Sequence, residues 1–342
     1  MDELRKLQRV GYSTLSVSIP KGFAKEMNLK KGDSVLLRED ADGTLRLIPA
    51  TRAKRMSRAT IRADQVGSDE MLVRLMVGAY ALGYDTVEVV GKAPLSRGRA
   101  ELAVKTVKRL MGMEVVDSDE RRVVGQSFMD PTKFPVDSLI KRLQVMLSQS
   151  LDEVEGALDL KQTARLGDVA RMQEEIDDLY WLIVRQLLVA LNRRELASEI
   201  GIESPLHASG DRVSAKTLDE IGKMVGEIAK ELVRLKEKGT EMDPEVVVKI
   251  RELAAKVGST FSVTMDSLLA PDIKLIGASA SLANDALRLE KEIVNEILEK
   301  GEHGYARALV SYFGQLTRYC NIITEIAFHR LLRKTSRVAT VQ

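Results

Sequence analysis

Leu15, Val17 and Ile19 alternate with Thr14, Ser16 and Ser18, the period of a strand with one buried face. Pro20 ends that ladder and opens a helix whose narrow apolar stripe is Phe23, Met27 and Leu29. Gly32 and Asp33 turn the chain into a second alternating run at Val35 and Leu37, and Asp42-Gly43 makes a tight hairpin into Leu45 and Leu47. Residues 5 to 49 therefore read as four short strands around one helix. A unit of about 45 residues without disulfide or metal is below the size that usually folds alone. Pairing with an identical unit is expected, and with it an obligate homodimer.

Beyond a basic linker at 51–58 the pattern changes. ATIRA (59–63) and TVEVV (86–90) read as strands, 70–82 and 102–110 as helices, and 114–117 with 122–125 as a hairpin. This alternation over residues 59–130 predicts a small α/β sandwich. Gly91 follows a strand, but no glycine-rich phosphate loop accompanies it, so it reads as a spacer.

From Phe134 onward strand signals vanish and the apolar positions recur with helical period. Helices are expected over 136–158, 161–192, 210–238, 244–269, 272–300 and 303–333. Asp243-Pro244 supplies an N-cap followed by proline at the first helical position, and Gly301 closes the fifth helix. The helices fall into two sets of three, about 136–238 and 244–333, whose last helices carry the pairs Glu227-Ile228 and Glu325-Ile326. A tandem three-helix repeat is the economical reading.

The stretch SIPKGFAKEMNLKKGDSVLL within residues 3–50 resembles the SpoVT-AbrB swapped-hairpin family, through its Ile-Pro-Lys step, its helix and its Leu-x-x-Gly-Asp turn. That resemblance implies two protomers interleaving strands into one small barrel that binds DNA. MQEEIDDLYWLIVRQLL (172–188) resembles the first-repeat motif of PhoU phosphate-uptake regulators, and the likeness extends through residues 134–335. The segment before it resembles the piece that joins AbrB-like and PhoU-like domains in some prokaryotic regulators. The expected fold class is thus multidomain α+β: a swapped-hairpin β-barrel over 1–50 formed by a dimer, an α/β sandwich, and an all-α tandem three-helix-bundle domain.

Charge bears on the first of these. Residues 1–58 carry 13 Lys or Arg against 7 Asp or Glu, whereas the rest carries 39 against 43. Such a local basic excess, doubled in a dimer, suits phosphate neutralisation on double-stranded DNA. The candidate contacts are Arg5, Lys6 and Arg9 before the first turn and Lys21 and Lys25 on the short helix, with Lys54, Arg55 and Arg58 in the connector. Aromatic residues are too scarce there for single-strand stacking.

The 342 residues, 44% hydrophobic and 30% charged, suffice for two or three domains with proper cores. No apolar run approaches membrane-spanning length and the N-terminus lacks a signal-peptide core, so a cytoplasmic protein without membrane insertion is expected. Cys320 is the single cysteine, which excludes an intrachain disulfide and reads as a small core residue.

The PhoU resemblance implies a metal cluster held by carboxylates four apart on one helix of each repeat and by an Asp-His-like pair on the third. Counting back from Tyr180, the four-apart pair falls at Gln173 and Asp177, so one ligand is a neutral amide. Lys223 and Met224 stand where the family has Asp and His, and Arg318 with Tyr319 take the corresponding places in the second repeat. Glu174, Glu175, Asp177 and Asp178 surround the apolar stripe Ile176, Leu179 and Ile183, as a solvent-facing side would. Glu174 and Asp178 keep a four-residue spacing in a shifted frame, which leaves a metal site as the alternative; the reading preferred is no metal and no other cofactor, with Lys223 and Arg318 forming ion pairs with these acids. His207, on an expected loop, and His303 and His329, at the two ends of one helix, form no ligand or acid-base pair, so no enzyme is expected. Trp181 and Tyr180 read as packing residues.

What the two resemblances imply together is a dimeric DNA-binding regulator of phosphate uptake, its bundle relaying phosphate status through partners such as the ATPase of a phosphate ABC transporter or a sensor protein. The alternatives are a PhoU-type adaptor in which the barrel only dimerises, and an antitoxin-like factor.

Overall fold

The computed structural model describes residues 3–39, 43–49, 56–161, 163–240, 243–299 and 304–333. Asp42, Lys54, Arg55, Gly301 and His303 lie outside the described residues. The chain forms two compact units, Met1–Met56 and Ser57–Gln342.

In the first unit, β1 (Gln8–Val10) pairs antiparallel with β2 (Thr14–Ser16) across a turn where Gly11 takes φ 71°. The strand is shorter than the alternation to Ile19 suggests. Helix α1 (Lys21–Glu26) starts directly after Pro20, and β3 (Val35–Glu39) pairs antiparallel with β4 (Leu45–Pro49). The two hairpins make separate two-stranded sheets. Their apolar faces are left open: Val10, Leu15, Leu36, Leu37 and Leu45 are each at least half exposed.

The second unit opens with β5 (Arg58–Arg62), α2 (Asp69–Ala81), β6 (Thr86–Val90), α3 (Arg97–Arg109), β7 (Met113–Ser118) and β8 (Arg122–Ser127). The sheet order is β5-β6-β8-β7, with β5 parallel to β6 and β8 antiparallel to both its neighbours. Both crossovers step the same way along this sheet, and α2 and α3 pack against each other beside it, as two right-handed crossovers require. Helix α3 begins at Arg97, ahead of the expected 102, because Ser96 caps it, its hydroxyl accepting from Arg99 N at 3.3 Å.

The bundle comprises α4 (Val136–Gly156), α5 (Leu166–Asn192), the short α6 (Arg194–Ala197), α7 (Pro205–Glu237), α8 (Pro244–Leu269), α9 (Ile273–Glu299) and α10 (Tyr305–Leu332). Helices α4, α5 and α7 pack as one set and α8, α9 and α10 as the other, and the sets join where α7 meets α10 and α4 meets α8. In each final helix the isoleucine of the Glu-Ile pair is buried and the glutamate exposed. The second set is pinned internally by one hydroxyl from each helix: Ser279 Oγ lies 2.7 Å from Thr264 Oγ1 and 2.8 Å from Thr324 Oγ1, all buried.

The α/β layer and the bundle share one compact unit, and α5 is the element that joins them. Trp181 packs against both hydrophobic cores. Arg185, buried on the same helix, donates to Tyr80 O at 2.5 Å and Tyr84 O at 3.0 Å, the carbonyls at the end of α2, and its guanidinium lies 4.8 Å from the Tyr80 ring centroid. A cation at a helix C-terminus is favoured by the unpaired carbonyls there. Gly83, at φ 87°, sits where a Cβ would come within 2.8 Å of Val189, so both conformation and space demand glycine. Among the described residues no helix is long and apolar enough to cross a membrane.

Candidate functional site

All five proposed DNA contacts are exposed. Arg5 and Lys6 precede β1; Arg5 pairs with Glu3. Arg9 is central in β1, opposite Leu15, and donates to Tyr12 O at 2.9 Å, which fixes its head at the hairpin turn. Lys21 and Lys25 lie one turn apart on α1 and so share a helix face. The structure thus sorts the five into a hairpin group and a helix group. On the second hairpin Arg38 and Arg46 are directly opposed across β3 and β4, a cationic pair that only the strand register reveals.

A second charged centre forms where four bundle helices meet. Helix α7 starts at Pro205 rather than the expected 210, because Ser204 caps it and accepts from His207 N at 3.1 Å. His207 is therefore a buried helical residue and not part of a loop, and it stands one turn from Asp211. His329, by contrast, is exposed near the end of α10, as expected. Arg330 of α10 donates to Asp211 Oδ1 at 2.6 Å, to Asp137 Oδ1 of α4 at 3.0 Å, and to Leu268 O at the end of α8 at 2.9 Å. One guanidinium thereby ties α4, α7, α8 and α10. Burial alone would lower its pKa, but Asp211 and Asp137 outweigh it and hold the charge in place.

Asp137, His207 and Asp211 are also the one trio of His, Cys, Asp or Glu among the described residues whose ligand atoms all lie within 4.8 Å of one another. Arg330 already bridges both carboxylates. His207 Nδ1 accepts from Glu203 N at 3.3 Å, which leaves the ring proton on Nε2, the nitrogen facing Asp211 Oδ2 at 3.3 Å. Burial lowers the His207 pKa, Arg333 and Arg330 lower it further, and Asp211 and Asp137 only partly oppose them. A histidine depressed in the folded state resists a proton that the unfolded chain takes up near its ordinary value of about 6.5. Its contribution is therefore complete above that value and is lost as the pH falls through it. His207→Asn should flatten the decline in denaturation midpoint between about pH 6.5 and 5; an unchanged slope would exclude His207 as its source.

The acids of α5 divide by depth. Glu174 and Glu175 are exposed and Ile176, Leu179 and Ile183 buried, as expected of a solvent-facing flank, but Asp177 and Asp178 are half-buried. Their cation comes from the α/β layer: Arg109 of α3 lies 2.8 Å from Asp178 and 3.4 Å from Asp177. Burial raises the pKa of both aspartates, with Asp219 adding to the effect at Asp177, and Arg109 opposes it. Lys223 does not pair with these acids as expected. It reaches Asp219, one turn back on its own helix, at 2.7 Å, and Glu220 at 3.3 Å, because its stem runs along α7. Lys216 approaches the same Asp219 at 2.8 Å from the other side. In the second repeat Arg318 forks onto Glu290 of α9 at 2.9 and 3.2 Å, again a partner other than the α5 acids. Tyr180 is buried and meets Trp181 edge-on with centroids 4.8 Å apart, and its hydroxyl accepts from Arg212 at 2.8 Å. Cys320 is buried, and burial pushes its thiol up to about 12.

Comparison with known proteins agrees with this two-part organisation. Residues 8–55 match the family model described as antidote-toxin recognition MazE, bacterial antitoxin, which is of the AbrB/SpoVT-like swapped-hairpin type. The crystal structure of PhoU from Pseudomonas aeruginosa superposes with a TM-score of 0.52 at 16% identity, over 57% of this chain and 95% of that one. At that identity the likeness is one of fold. No curated protein matches. The class defined is a swapped-hairpin segment carried in one chain with a PhoU-fold helical bundle.

Proposed function

We propose that this chain is a dimeric DNA-binding regulator of phosphate uptake, acting in the cytoplasm and without catalysis. Its N-terminal hairpins close into a barrel with a second copy, and the basic groups around Arg5, Lys6, Arg9, Lys21 and Lys25 lie along duplex phosphates. The bundle receives phosphate status from a protein partner, such as a transporter ATPase or a sensor. The observation that carries this reading is the first unit itself: half-exposed apolar faces at Val10, Leu15, Leu36 and Leu37 call for a second copy, and the surplus of Lys and Arg lies in the same residues. The shared fold with PhoU supplies the link to phosphate.

The test compares duplex binding to the gene's own upstream region and to a phosphate-transport promoter, using the full chain and a chain lacking residues 1–56. Binding is expected to require the N-terminal unit and to weaken steeply with salt. Equal binding by both chains would remove the N-terminal unit from the DNA interface, and binding by neither would favour the adaptor reading, in which the barrel serves only to dimerise; capture of a transporter ATPase by the truncated chain would support that reading directly.

A further inference from the structure

The metal cluster that the PhoU resemblance implies does not fit the side chains at the corresponding places. On α5 the expected ligand pair contains the neutral amide of Gln173, whose Oε1 is packed so closely over Gly226 of α7 that a Cβ there would lie 2.1 Å away. Asp219 is almost fully buried, with a side chain only 1% exposed, yet its Oδ2 already takes two ammonium groups, Lys216 at 2.8 Å and Lys223 at 2.7 Å. In the other repeat Glu290 lies flat on Gly314 of α10, where a Cβ would fall 2.0 Å from Oε1, and both of its oxygens are held by Arg318. A forked guanidinium on a carboxylate fills the space and the charge that a cation would otherwise take.

We infer that this bundle neutralises its inward carboxylates with tethered side-chain cations, Lys216 and Lys223 on Asp219 and Arg318 on Glu290, in place of metal ions, so that its folded state is independent of metal supply. The two repeats reach this end differently: the first uses cations one turn before and after the acid on the same helix, the second a cation from the neighbouring helix. The side chains of Lys216, Lys223 and Arg318 are each a little under half exposed, so they neutralise from the rim inward, and the two lysines also share Glu220. A carboxylate whose cation is removed is left buried and uncompensated, and the loss is recovered when the acid itself is neutralised.

The experiment uses the full chain. Elemental analysis of the purified protein is expected to find no stoichiometric manganese, iron or zinc, and EDTA to leave the melting temperature unchanged. The variant K216M/K223M should melt several degrees lower, and adding D219N should return most of that loss. R318M and R318M/E290Q give the same comparison in the second repeat, independently of whether the first variant folds. Stoichiometric metal lost in D219N or E290Q, a melting temperature lowered by EDTA, or failure of the acid substitution to restore stability in either repeat would overturn the inference.

Discussion

Replacing Arg330 with methionine is expected to lower the stability of the Ser57–Gln342 unit by about 3–5 kcal/mol, the usual consequence of removing one partner of a buried ion pair. The side chains of Arg330 and Asp211 are 6% and 1% exposed, so water cannot replace the lost cation. Asp211 would retain its charge beside Asp137 and His207 without its cation, or take up a proton that burial already encourages it to hold. The substitution also frees the carbonyl of Leu268 and unties the first repeat from the second, since Asp137 and Asp211 belong to α4 and α7 and Leu268 to α8. Guanidinium denaturation followed by the fluorescence of Trp181, the single tryptophan, reads this unit directly. Arg330→Met/Asp211→Asn should recover much of the loss. If the single variant unfolds at the wild-type midpoint, the four-helix tie has no energetic weight.

Neutralising Arg5, Lys6 and Arg9 together is expected to reduce duplex affinity by orders of magnitude at low salt and to flatten its salt dependence. In a dimer the triple substitution removes six positive groups, and each phosphate contact contributes about 0.9 to the log–log slope. A fall of about 5 in that slope is the limit if all six meet phosphates. Arg9 is held at the hairpin turn by the Tyr12 carbonyl, so it is positioned before binding, whereas Arg5 and Lys6 lie outside the strands. Arg9→Ala alone should therefore lose more affinity than Lys6→Ala alone. Fluorescence anisotropy over a salt series measures both quantities. An unchanged slope in the triple variant would remove these residues from the interface and leave α1 or the β3–β4 arginines as its basis.

Much of the architecture was legible because local pattern and local structure share a cause. Helix α8 begins at Pro244 and β6 spans Thr86–Val90, as expected, since a capping aspartate before proline and a run of β-branched residues act within a few bonds of the backbone they shape. Two helices start about a turn ahead of their apolar period, because a cap acts on the backbone and not on the stripe: Ser204-Pro205 opens α7 and Ser96 opens α3. With 206–209 outside the expected helix and Asp211 inside it, the four-residue spacing of His207 and Asp211 carries no meaning; it marks one helical face only because α7 begins at Pro205.

What the sequence by itself determined is the succession of elements, the division into a small basic hairpin unit and a long helical one, and the absence of an intrachain disulfide, all consequences of residue type and near-neighbour period. Which charges meet was decided only by tertiary structure. Arg109 with Asp178, Arg185 with the end of α2 and Arg330 with Asp211 join residues 69, 105 and 119 positions apart. Lysine and arginine stems reach any acid that packing brings near, so the choice of partner follows from how helices stack around a shared apolar core. The period of a single helix does not contain that information.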